Sequence, residues 1–127
     1  MRKLNTIQKR ENLNEVYAVD EKGNGGANHE YHIKYDKFNN GYISTHQIQF
    51  QNGARKETNS IHGILDTDLL EIVRDRIKGF QSGNFATEYN AKALENIELA
   101  LMYMNRRVED RIERNVLGSD KKWMMWA

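Results

Sequence analysis

The chain has 127 residues, 39% of them hydrophobic and 29% charged, with a net charge of +1. That length suits one domain with a modest core, and the balance excludes the bulk basic field that draws a protein to duplex nucleic acid or an anionic membrane. Cysteine is absent, which excludes disulfide scaffolds and thiolate metal sites.

The opening MRKLNTIQKRENLNE carries no apolar run, so no signal peptide is expected. No stretch reaches the roughly 20 apolar residues of a membrane span, and a cytosolic location is the default expectation. Proline is also absent, where average usage would give about six. Loops must then be built from Gly and Asn, which adopt positive φ at little cost.

The first half reads as β. EVYAVDEKG (15–23) ends at the turn-rich GNGGAN. In EYHIKYD (30–36), Tyr31, Ile33 and Tyr35 alternate with His32 and Lys34, the period of a half-buried strand. Asn40-Gly41 is a hairpin signal. A third strand over 42–53 places Ile48 and Phe50 on one face, and GARKETNS follows as an exposed loop. The expectation is a small antiparallel meander.

The second half reads as two helices. Asp66, Thr67 and Asp68 mark an N-terminus, Leu69, Val73, Ile77 and Phe80 recur at helical spacing, and Gly79 is placed to end the helix. The second helix is expected from near Asn84 to about Val116, with Leu94, Ile97, Leu101, Met104, Val108 and Ile112 as its apolar stripe. Such a helix is roughly 45–50 Å long, about twice its partner. Part of the stripe must be covered by another copy of the chain or by a different partner. The fold class is therefore α+β: one domain over 1–127, β-rich at about 12–53, with a helical hairpin at about 66–117 whose second arm is long.

Candidate sites are few. His29, Glu30 and His32 look like metal ligands in a row, but on a strand His29 and His32 face opposite sides, and solvated strand residues are the better reading. His46 and His62 are isolated. No Ser/His/Asp spacing is recognisable, and GNGG lacks the context and the lysine of a phosphate loop.

In MNRRVEDRIERN (104–115), Arg106 with Asp110 and Asp110 with Arg114 read as a solvated, mutually neutralised face. Arg107 and Arg111 are like charges one turn apart on the border of the stripe. Their guanidinium forks either grip a phosphate or pair with the acids of a neighbouring subunit. Asn90, on the edge of the same stripe, is either a structural amide or a hydrogen-bond partner for a base or ribose.

Phe80 and Phe85 flank QSGN in GFQSGNFATEYNA (79–91). Phe80 is either core or a stacking platform for a purine or nicotinamide-derived ring, Phe85 is read as packing, and the N-terminus of the second helix offers N–H groups to an anion. Asn90 and Arg107 are about 25 Å apart along one helix. One small ligand touches both only if the site lies between subunits whose long helices run antiparallel.

Two segments, IQFQNG and DLLEIVRDRIKGFQSGNFATEYNAKALENIELALMYMNRRVEDRIERNVLG, resemble the helical hairpin shared by the phage Thoeris anti-defence sponges and the anti-CBASS cyclic-oligonucleotide sponges. GFQSG-F and RxxDR carry the likeness, which covers about half the chain. The β-rich half points to the Thoeris type.

The resemblance implies a non-enzymatic protein of the infected host's cytoplasm, with no cofactor, metal, membrane or nucleic-acid polymer. It would sequester glycocyclic ADP-ribose, a messenger made from NAD, and so keep it from the downstream effector. It further implies dimers that assemble into hexamers, with separate pockets for cyclic trinucleotides. Carried over residue by residue, the stacking aromatic matches Phe80, the polar contact Asn90, and the arginines Arg107 and Arg111. The family often has proline where this chain has ARKE, a departure that bears on the loop's shape and on the second pocket; Arg55 and Lys56 are basic candidates there, with no contact assigned to either. The competing classes are a hydrolase of the same nucleotide, which would need a general base or metal near the pyrophosphate and for which Glu88 or Glu109 are the candidates without a paired constellation, and a structural or nucleic-acid-binding phage protein. The terminal KKWMMWA is assigned no role.

Overall fold

The computed structural model describes residues 1–113. Arg114, the expected helix end at Val116 and the KKWMMWA segment lie outside the described residues. The chain forms two compact units, one over Met1–Ile64 and one from Leu65 onward.

The first unit is a four-stranded antiparallel sheet: β1 (Arg2–Lys3), β2 (Glu15–Ala18), β3 (Glu30–Tyr35) and β4 (Ser44–Gln49), in that spatial order. The expected meander is present, with β1 added at its edge. A two-residue strand has no periodicity to detect. Ala18, Tyr31 and Ile48 are in register across three strands, and Ala18 is 1% exposed. Phe50 meets Tyr31 edge to face, with centroids 5.7 Å apart, a favoured arrangement for two aromatic rings.

The opposite face of the sheet is polar and cross-linked. Lys3 pairs with Glu15 at 2.9 Å, the Lys34 ammonium lies 5.1 Å from the Tyr17 ring centroid, and His32 and Gln47 both reach the Glu30 carboxylate.

β2 stops earlier than its composition suggests because Asp20 takes over the backbone pairing. Its carboxylate accepts the N–H groups of His29 and Glu30. Burial opposes ionisation of Asp20, but these N–H groups and Asn28 outweigh it and hold its carboxyl below the usual range. His29 is thereby drawn in to 8% exposure, and His32 is half-buried beside Glu30. Neither is the solvated strand residue that alternation implied.

The β3–β4 connection is also longer than a two-residue turn and spans 36–43. Asp36 organises it by accepting the N–H groups of Asn40 and Gly41, and Gly41 has φ +86°.

After β4 the chain doubles back, with Asn52 bridging Ile61 and Phe50 bridging Ile64. Gly63 permits this approach: a Cβ there would lie 2.3 Å from the Gln49 carbonyl oxygen and 2.6 Å from the Phe50 carbonyl carbon. Backbone cannot yield as a flexible side chain does. Gly63→Ala is therefore expected to destabilise the β unit by about 3 kcal/mol, visible as an earlier transition in a chemical-denaturation melt. A variant as stable as the parent would show that the loop moves freely.

The second unit is a helical hairpin, α1 (Asp66–Gln81) and α2 (Glu88–Glu113). Leu65 is the residue before α1. It has no side-chain acceptor, but the Asp68 carboxylate accepts its N–H at 2.9 Å, one half of a capping box. Gly79 does not end α1. It is not in the left-handed region, and the helix continues to Gln81. Ser82 closes it instead, its hydroxyl donating to the Gly79 carbonyl and its N–H to the carbonyls of Lys78 and Gly79.

Nor does α2 begin near Asn84. Thr87 caps it, its hydroxyl accepting the Asn90 N–H at 3.0 Å. A reciprocal pair between Gln81 and Thr87 then fixes the turn, with Gln81 Nε2 donating to the Thr87 carbonyl and Thr87 N–H donating to Gln81 Oε1.

α1 is about 24 Å long and α2 about 39 Å. Leu69 and Ile77 of α1 and Leu94, Ile97, Leu101 and Met104 of α2 are half-buried, while Val108 and Ile112 are 37% and 51% exposed. Neither helix holds a fully buried residue. Across the two arms, Arg74 binds Glu98 at 2.7 Å. The stripe thus runs past the end of its partner, as the lengths required.

Candidate ligand-binding site

The four candidate residues fall into two groups on the hairpin. The first is at the turn. α1 continues through Gly79, and this holds Phe80 on regular helix, the residue 41% exposed. The Arg76 guanidinium carbon lies 5.5 Å from that ring's centroid. Asn90 sits in the first turn of α2, where its backbone N–H is used by Thr87. Its half-buried side-chain amide donates to the Phe85 carbonyl over a long 3.4 Å. The structural role considered for Asn90 is therefore real but weak, and it leaves the amide oxygen available as an acceptor.

Two expectations fail at this turn. Phe85 is 76% exposed, so it is not core in this chain. Its position three residues ahead of Glu88 puts it in the loop, where neither helix covers it. The start of α2 also makes a poor anion site. Thr87 already caps it and Glu88 places a carboxylate in the first turn, so the helix dipole is already met by a negative charge.

The second group lies far along α2. Arg107 is exposed and Arg111 half-buried. Burial holds the Arg111 guanidinium below its ordinary basicity, and the charge on Arg107 adds to the effect. The Arg107 charge thus lies close enough to be felt by Arg111, and guanidinium forks of this kind are suited to grip an anion.

An open concavity beside them is lined by Tyr103, Arg106, Arg107 and Asp110. Asp110 is half-buried, which departs from the solvated face read for Arg106 and Asp110. Tyr103 and Arg76 were missed in the sequence. Each stands four residues before a singled-out residue, Arg107 and Phe80 respectively, and that spacing was the available signal.

The hairpin joins Phe80 to Asn90 through the Gln81–Thr87 pair, and α2 joins Arg107 to Arg111. It does not join the two groups to each other: the 17 residues from Asn90 to Arg107 lie on one uninterrupted helix, about 25 Å. Arg55, a candidate for a second pocket, is engaged within the β unit, donating to Gln51 Oε1 and to the Gly63 carbonyl. Lys56 is exposed. Among the described residues, no three His, Asp or Glu side chains form a metal-binding group, and no helix is long and apolar enough to cross a membrane.

A family model described as the hairpin domain of Acb2/Tad1 matches residues 43–109. The match runs from the start of β4 through most of α2, more than half of the chain, and this protein belongs to the Acb2/Tad1 hairpin family. A relative from Bacillus phage SBSphiJ7, Thoeris anti-defense 1, is 35% identical over 75 residues, covering 59% of this chain and 52% of the phage protein. The chain thus matches about half the length of that relative. Phe80, Asn90 and Arg107 lie inside the family match, and Arg111 lies two residues beyond it.

Proposed function

We propose that this protein is a phage anti-defence sponge. It binds an NAD-derived immune messenger, glycocyclic ADP-ribose, and holds it uncleaved so that the Thoeris effector stays inactive. The family and the name of the phage relative support the anti-defence role.

The observation that carries the ligand reading is the division of the candidate residues between the two ends of α2. A half-exposed aromatic and an amide stand at the turn, and a repelling guanidinium pair stands beside the uncovered Val108 and Ile112. Each group is half of what an adenine diphosphate needs. An antiparallel second copy would supply the other half while covering the bare stripe. In that arrangement Phe80 stacks on the adenine, Asn90 hydrogen-bonds to the nucleoside, Arg107 closes over the base, and Arg111 holds the diphosphate. Dimers of this kind assembling further into hexamers would leave separate pockets for cyclic trinucleotides.

Incubation of the protein with glycocyclic ADP-ribose, followed by heat denaturation, tests the reading. Release of messenger that is intact by mass spectrometry and still activates the effector is the expected result. Recovery of linear or hydrolysed product would mean an enzyme. Failure to deplete free messenger from solution before heating would remove the ligand assignment.

A further inference from the structure

Arg76 belongs to the same turn but to no part of the site read from the sequence. It lies one helical turn before Phe80, exposed, with its guanidinium carbon 5.5 Å from the ring centroid. The helix offers it nothing else. Its neighbours three and four residues away are Ile72, Val73, Gly79 and Phe80, none of them acidic.

Arg74, two residues earlier, is the contrast: it pairs with Glu98 at 2.7 Å and Glu71 at 3.3 Å. Among the described residues Arg76 forms no ion pair. A guanidinium placed against an aromatic face, with no carboxylate drawing it away, restrains the ring and covers that face.

We infer that Arg76 is a ligand-positioning residue. It backs the Phe80 ring so that the uncovered face is presented to a purine, forming a guanidinium–phenyl–purine stack when the nucleotide is bound. This rests on the sponge reading, since it is Phe80 that receives the base. The stack also sets the chemistry of the preferred ligand: a flat, electron-rich ring carried by an anion, and not a phosphorylated sugar alone. Planarity matters on the arginine side as well. Lysine keeps the charge but not the flat surface, so it is expected to replace arginine only in part.

Titration calorimetry with glycocyclic ADP-ribose on the full chain tests the inference, using Arg76→Met, Arg76→Lys, Phe80→Leu and the Arg76→Met/Phe80→Leu double variant. Arg76→Met is expected to weaken binding about tenfold and Arg76→Lys about threefold. Melting temperatures should stay close to the parent, because the side chain is exposed. In the Phe80→Leu background the Arg76→Met change should have little further effect, because the two act as one unit.

Arg76→Met binding within twofold of wild type, while Phe80→Leu is weakened, overturns the role of Arg76 and leaves the sponge reading intact. An undiminished Arg76→Met effect in the Phe80→Leu background shows that Arg76 does not act through the ring, which also overturns it. Wild-type protein that gives no binding removes the sponge reading, and the Arg76 inference falls with it.

Discussion

Arg107→Ala is expected to weaken binding of glycocyclic ADP-ribose by roughly a hundredfold or more, the usual consequence of truncating one side of a desolvated, hydrogen-bonded charge contact. The loss should be specific to binding. Arg107 is exposed and carries no core packing, so its removal should leave the thermal transition near that of the parent. It should even relieve Arg111, whose basicity is lowered first by burial and then by the Arg107 charge.

Arg107→Lys provides the chemical control. It restores the positive charge as a point rather than a fork, and is expected to recover only part of the affinity. Titration calorimetry reads both variants. If Arg107→Ala binds as tightly as wild type, Arg107 lies outside the site and the residue correspondence with the family is wrong, whatever the ligand. A wild-type titration without heat would instead count against the ligand.

What could be read from the sequence follows from where its signals are physical. Tyr31, Ile33 and Tyr35 alternate with His32 and Lys34 because successive side chains of a strand point to opposite faces of the sheet, and β3 is found where that alternation places it. Leu94, Ile97, Leu101 and Met104 recur at helical spacing because they face α1, and the helix is found there too. Boundaries were less legible, because they turn on single hydrogen bonds. Asn84 and Thr87 are both good capping residues, and only the structure shows that the Thr87 hydroxyl takes the Asn90 N–H. Gly79 can end a helix, but Ser82 does so with two backbone bonds and one hydroxyl bond that composition does not reveal.

At the site, residue type was legible and environment was not. Arg107 and Arg111 read alike as a pair, yet one is exposed and the other half-buried. Arginine spacing fixes their separation along α2, but burial depends on how the helix is rotated against its neighbours. Phe80 and Phe85 look symmetric about the turn. One lies on regular helix and the other in the loop, so only Phe80 is held in a defined orientation, with Arg76 against its ring.

The separation of the two groups along α2 leads to the most discriminating experiment. If a pocket takes Phe80 and Asn90 from one subunit and Arg107 and Arg111 from the next, two inactive variants must repair each other. Phe80→Ala and Arg107→Ala are each expected to bind messenger poorly when purified alone. Unfolded together, mixed in equal amounts and refolded, they form mixed dimers in which one pocket combines the intact Phe80 of one chain with the intact Arg107 of the other, while the second pocket lacks both. Random pairing makes about half of the dimers mixed, so about a quarter of all sites should bind at wild-type affinity. Titration stoichiometry counts them directly. A pocket completed within one chain has no such recovery, because every chain in the mixture lacks one required group. The 39 Å length of α2 makes that second outcome hard to reconcile with a single small ligand, since about 25 Å of continuous helix holds the two groups apart. A mixture that binds no better than its parts would therefore reject the antiparallel arrangement, and with it the assignment of Phe80 and Arg107 to one site.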